Sequence, residues 1–185
     1  MRATLLPDCG DAWARAPSIV RMHALGDVAY GLREIGALEG SRTAFRIVAQ
    51  SSASVRVRVN AHLELMDLES TFGNRVAFER CRTAAEEYRS RMSPSMSADY
   101  YYKLGMGLSR FDQATRAEDA LSTALALAET HQLNAWYFKV EKALEELRKP
   151  PEPMLVSQPD SALSQAPSIV QMEVELREYA TATLA

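Results

Sequence analysis

Residues 101–124 read YYKLGMGLSRFDQATRAEDALSTA, and the fold of the whole chain turns on how this stretch is read. Tyr101, Leu104 and Leu108 recur at helical spacing, with Gly105 directly after Leu104. Ala117, Leu121 and Ala124 then repeat the spacing further on, and Ala120, Leu125, Leu127 and Ala128 widen that second stripe into a broad apolar face. A glycine on one helix and small alanines on the next let two helices approach closely while large residues fill the gaps between them. The second helix has a start signal at residues 115–118, TRAE, where Thr115 is placed to cap and Glu118 to reach back. The first is expected to open at Ser97, with Asp99 in its first turn, where an acid suits the positive end of the helix dipole.

Tyr101, Leu104, Gly105, Leu108, Ala117, Leu121 and Ala124 agree in type and spacing with W-x2-L-G-x2-Y followed by A-x3-F-x2-A. The stretch therefore resembles the tetratricopeptide repeat. Weaker copies lie upstream. Ala61, Leu65 and Leu68 lead to Ala77, Cys81 and Ala84, and Met22, Leu25, Gly26 and Ala29 lead to Gly40, Ala44 and Ile47. Met22, Ala61 and Tyr101 then stand at equivalent positions, 39 and 40 residues apart, a longer repeat than the family's basic length of about 34. Trp136 resembles the start of a final, unpaired capping helix. The resemblance covers about residues 17–148. It implies an all-α fold, a right-handed superhelix of about three antiparallel helix hairpins plus a cap. It also implies a protein-protein or peptide interaction module, an adaptor or scaffold that holds its partner on a concave face built by the opening helix of each hairpin. Carried across by position, that face comprises His23, Asp27 and Tyr30, then His62, Met66 and Glu69, then Tyr102, Met106 and Arg110. Methionines, aromatic rings and scattered charges suit recognition of a protein segment. The Lys and Arg pattern of the family's carboxylate clamp is not evident.

The rest of the chain is read around this unit. Residues 54–60, SVRVRVN, alternate like a strand, but Val55, Val59, Leu63 and Met66 continue at steps of four, four and three, which predicts a helix with Val57 off the pattern. A last core helix is expected over 134–148, stopped by Pro150 and Pro151. Four parts follow: an N-terminal tail (1–15), a repeat domain (16–149), a Pro-rich linker (150–165) and a C-terminal docking helix (166–185). APSIVQM at 166–172 repeats APSIVRM at 16–22 in six of seven letters. Ser168 and Gln171 are placed to form a capping box for a helix over 168–183. Its seam, Ile169, Met172, Leu176 and Tyr179, needs a helical surface to dock on. That surface belongs either to this chain's own array, at an exposed end that the duplicated opening-helix sequence would mimic, or to a neighbour's, which would make an exchanged homo-oligomer.

Composition narrows the function classes. Hydrophobic residues make up 47% and charged residues 24%, a globular balance, and the net charge of −3 supplies no basic excess for direct nucleic-acid binding. No apolar run reaches the roughly 20 residues of a membrane span. The N-terminus lacks the apolar core of a signal peptide, so the chain reads as cytoplasmic and free of membrane contact. Cys9 and Cys81 make no disulfide framework. No catalytic motif, phosphate loop or metal-ligand cluster stands out. His23 and His62 on successive repeats lie too far apart to share an ion. The chain is read as a binding protein with no metal and no cofactor, and not as an enzyme. The alternative is a ligand- or peptide-sensing regulatory domain of a bacterial-type transcription or signalling system.

Overall fold

The computed structural model describes residues 18–149 and 161–184, and these are all α, with no strand among them. In chain order the helices are α1 (Ser18–Glu34), α2 (Leu38–Ser51), α3 (Val55–Thr71), α4 (Arg75–Glu86), α5 (Pro94–Arg110), α6 (Ala114–Thr130), α7 (Asn134–Arg148), one turn of α8 (Ser161–Ser164) and α9 (Pro167–Leu184). A 3-10 turn, Arg89–Arg91, precedes α5. The expected tail, Cys9 within it, and residues 150–160 of the expected linker lie outside the described residues. Within the expected linker, residues 161–164 form one helical turn, α8.

Four reversals share one backbone motif. After α1, α3, α5 and α6 a single residue takes a left-handed φ: Gly36 (79°), Gly73 (70°), Asp112 (59°) and Gln132 (54°). At each, the next N–H reaches back to a carbonyl five residues earlier. Ala37 bonds Leu32, Asn74 bonds Glu69, Gln113 bonds Leu108 and Leu133 bonds Ala128, at 2.8–3.0 Å. This double closure satisfies carbonyls that a helix end leaves open. It also explains one of two helix starts that differ from the expected caps. α6 begins at Ala114, its N-cap Gln113 already held in the reversal, and no side chain caps it. The Thr115–Glu118 box does not form, and Glu118 instead accepts two bonds from Arg148 at 2.7 and 2.9 Å. α5 opens at Pro94 and not at Ser97. Ser93 Oγ accepts from the Met96 N–H at 3.3 Å, and proline fits the first turn because it has no N–H to satisfy.

Consecutive helices pack together: α1 on α2, α2 on α3, α3 on α4, α5 on α6 and α6 on α7. The opening helices are also neighbours, α1 beside α3, α3 beside α5 and α5 beside α7. α3 is therefore surrounded, and every residue from Leu63 to Ser70 is buried. This is why SVRVRVN is helical despite its alternation. Val59 is buried in one core cluster and Val57, off the expected stripe, packs against another. Close approach is visible at two glycines. A Cβ on Gly105 would lie 2.6 Å from Leu121 Cγ and 3.1 Å from the Ala117 carbonyl oxygen, and Gly107 lies under the Phe78 ring.

The C-terminal helix docks on its own chain, along α2. Leu176 is buried in the cluster formed by α1, α2 and α3, with Ile169, Tyr179, Ala180 and Leu184 packed against it. Met172 is not in the seam; it is 37% exposed. Glu173 takes the inward position, because the unpaired N–H groups at the start of α2 need an acceptor there. The N-cap residue of α2, Ala37, makes no side-chain cap, and Glu173 Oε1 accepts from the Gly40 N–H at 3.0 Å in its place. The helix begins at Pro167, so Ser168 lies inside its first turn, and Gln171 donates to Glu175 in place of a capping box.

Candidate interaction face

The opening helices place one ridge of polar residues each side by side. From α1, Arg33 pairs with both Glu64 and Asp67 of α3. The Tyr30 hydroxyl, one turn earlier, donates to Glu64 Oε1 at 3.2 Å. From α5, Lys103 Nζ donates to Glu64 Oε1 at 2.6 Å and to Asp99 Oδ2 at 2.9 Å. Arg110 Nη1 donates to Asp67 Oδ1 at 2.6 Å and to Ser70 Oγ at 2.7 Å. On α7, Lys139 stands over the Tyr102 ring at 4.3 Å and the Trp136 ring at 4.7 Å. It forms no ion pair among the described residues.

Depth is uneven along this strip. The side chains of Glu64, Asp67 and Lys103 are 7–10% exposed, whereas Arg33 and Arg110 are 30% and 35% exposed. The carboxylates lie below and two guanidinium groups above them, so the strip shows solvent mainly cations. The protonation states follow from this layering. Burial works against ionised Asp67, but Arg110 and Arg33 overcome it and hold the carboxyl below its usual range. Burial likewise opposes the Lys103 charge, and Asp99 and Glu64 outweigh it, raising the ammonium. Asp99 is the opposite case: burial dominates the Lys103 attraction and pushes its carboxyl up. Its Oδ1 is buried with no hydrogen-bond partner among the described residues. Lys139 is lowered by burial, only partly offset by Asp99.

Of the residues expected on this face, Tyr30 and Arg110 are in the strip. His23, Asp27 and Tyr30 together line a groove of about 520 Å³ between α1 and α3. Tyr102 is half-buried and tilted against Trp136, ring centroids 5.9 Å apart. Met106 is partly buried, packed on the Leu121 and Val140 cluster. The three residues expected from the second repeat are misplaced. Met66 is fully enclosed, Glu69 is 5% exposed, and His62 lines a different groove between α2 and α4. The cause is register. Gly36, Gly73 and Asp112 occupy the same turn position and lie 37 and 39 residues apart, not 39 and 40. A two-residue error turns a helical side chain through about 200°. Counted from the turns, the partners of His23 and Asp27 are Asn60 and Glu64 on α3, then Asp99 and Lys103 on α5. The sequence pattern passed over Glu64, Asp67 and Lys103, and read Asp99 only as a first-turn acid, which it is not because α5 opens at Pro94; their one signal was charge at positions that the correct register would have aligned.

Searches of protein-family models, of curated proteins and of solved structures found no match to this chain.

Proposed function

We propose that the chain is a tetratricopeptide-like interaction module, in which the hairpins α1/α2, α3/α4 and α5/α6, capped by α7, form a right-handed array. The strip along α1, α3, α5 and α7 binds an extended partner segment carrying acidic side chains. The observation that carries this reading is the incomplete pairing of the strip. Among the described residues, Lys139 has rings but no anion, and the buried Oδ1 of Asp99 accepts no hydrogen bond. A native buried polar atom left without a partner needs an explanation, and a donor on a bound segment supplies one. Stability alone is a poor reason for such a strip, since buried ion pairs seldom outperform apolar packing of similar shape. Trp136 and Tyr102 beside Lys139 add aromatic anchors of the kind that dominate interfaces.

Affinity capture from native lysate with the full chain and with a Trp136→Ala/Lys139→Ser variant tests the reading. Both positions are at the surface, so helicity should be unchanged, and a specific partner should be lost. Undiminished capture by the folded variant would place the working surface elsewhere.

A further inference from the structure

A second constellation lies on another side of α3 and is independent of the interaction strip. Between α2, α3 and α4 there is a groove of about 590 Å³, lined by Arg42, Arg46, His62, Glu69, Arg80 and Cys81 among others. This is within the size of small-molecule sites, about 300–1,000 Å³. Its polar groups are unevenly satisfied. Arg42 is engaged: it pairs with Glu39 at 2.7 Å and lies over the Phe72 ring at 4.8 Å. Arg46 and Arg80, which face the same groove, have no hydrogen bond or ion pair among the described residues. The Glu69 side chain is 7% exposed, and its Oε2 forms a long ion pair with Arg42 at 3.7 Å. Glu69 Oε2 and His62 Nδ1 are both buried without a hydrogen bond among the described residues.

These vacancies define complementary chemistry. Two free guanidinium groups ask for acid groups, which their planar forks hold bidentately. A buried carboxylate oxygen asks for an N–H or O–H donor. We propose that this groove binds a small dicarboxylic acid bearing an amino or hydroxyl group, its acids on Arg46 and Arg80 and its donor on Glu69. Cys81 adds no covalent step: burial, then the charge of Glu69, pushes its thiol up to about 12, so it stays protonated and unreactive.

Titration calorimetry on the full chain with L-aspartate, L-malate, succinate and inorganic phosphate tests this. Aspartate or malate should bind about tenfold or more tightly than succinate, which has the same acids and no donor. Arg46→Ala/Arg80→Ala, changing two exposed side chains, should lose at least about tenfold in affinity while keeping partner capture on the other face. Glu69→Gln should erase the preference over succinate. The His62 imidazole signals in proton NMR should shift with aspartate or malate in the unaltered chain. Three results would overturn the proposal: no binding of either donor-bearing acid at millimolar concentration, binding of phosphate alone, or equal affinity in the Arg46→Ala/Arg80→Ala chain.

Discussion

Gly105→Ala and Gly26→Ala should move stability in opposite directions, although the sequence pattern places both glycines in the same Leu-Gly pair. In an open helix, replacing glycine with alanine stabilises by about 1 kcal/mol. At Gly26 a Cβ meets nothing within 4 Å, so that gain should appear in full. At Gly105 the Cβ would lie 2.6 Å from Leu121 Cγ and 2.9 Å from Cδ2, with the Ala117 carbonyl oxygen at 3.1 Å. Leu121 is 1% exposed and has nowhere to turn, and a backbone oxygen cannot yield cheaply. Overpacking of this kind costs about 1–3 kcal/mol. Gly105→Ala should therefore be neutral to destabilised by about 2 kcal/mol, and the gap between the two variants should be about 1–3 kcal/mol. Urea unfolding followed by far-UV circular dichroism reads both against the unaltered chain. If Gly105→Ala is stabilised as much as Gly26→Ala, the close contact between α5 and α6 is absent and the packing described above is wrong.

Three further outcomes are expected. Lys103→Ala should cost about 3 kcal/mol in the same urea assay, because it leaves Glu64 and Asp99 buried without their shared cation, and Lys103→Met/Glu64→Leu should recover only the part due to Glu64, since Asp99 still lacks its cation. Burial, then Arg58, holds the His62 imidazole below its usual 6.5, so the folded chain binds fewer protons than the unfolded one. Its contribution should be intact above pH 6.5 and lost as pH falls toward the folded value, and His62→Gln should flatten the urea midpoint between those limits. Glu173→Ala should free the Gly40 N–H, seen as faster amide exchange at the start of α2, and Leu176→Ala should lower stability by about 2 kcal/mol. No change in either would mean that α9 does not rest on α2.

The all-α class and the hairpin at 101–124 were legible because Gly105, Ala117 and Leu121 meet in space as their types and spacing require. The C-terminal seam was mostly legible for the same reason, apart from position 172. Glu173 faces inward there because the bare end of α2 needs a carboxylate, and a hydrophobic pattern does not record that need. The register of the opening helices was not legible. Two of the four reversals use Asp112 and Gln132 at left-handed φ, where the usual glycine marker is missing. In α1 the small residue buried against α2 is Ala29, whose carbonyl accepts from Ser41 Oγ at 2.8 Å, and not the more conspicuous Gly26. Buried charges such as Glu64 and Lys103 look like surface residues in a sequence until the neighbouring helices that neutralise them are known.

Site-specific photocrosslinking tests the proposed working face most directly. A benzophenone side chain is placed at Ser95, exposed on α5 where its Oγ accepts from Trp136 Nε1 at 3.1 Å, and in a second chain at Ala126, exposed on α6. After irradiation in native lysate, the Ser95 position should trap a discrete partner, with an acidic segment at the crosslink, and Ala126 should trap none. Trapping from Ala126 alone, or equally from both positions, would contradict the assignment of the interaction face to the opening helices.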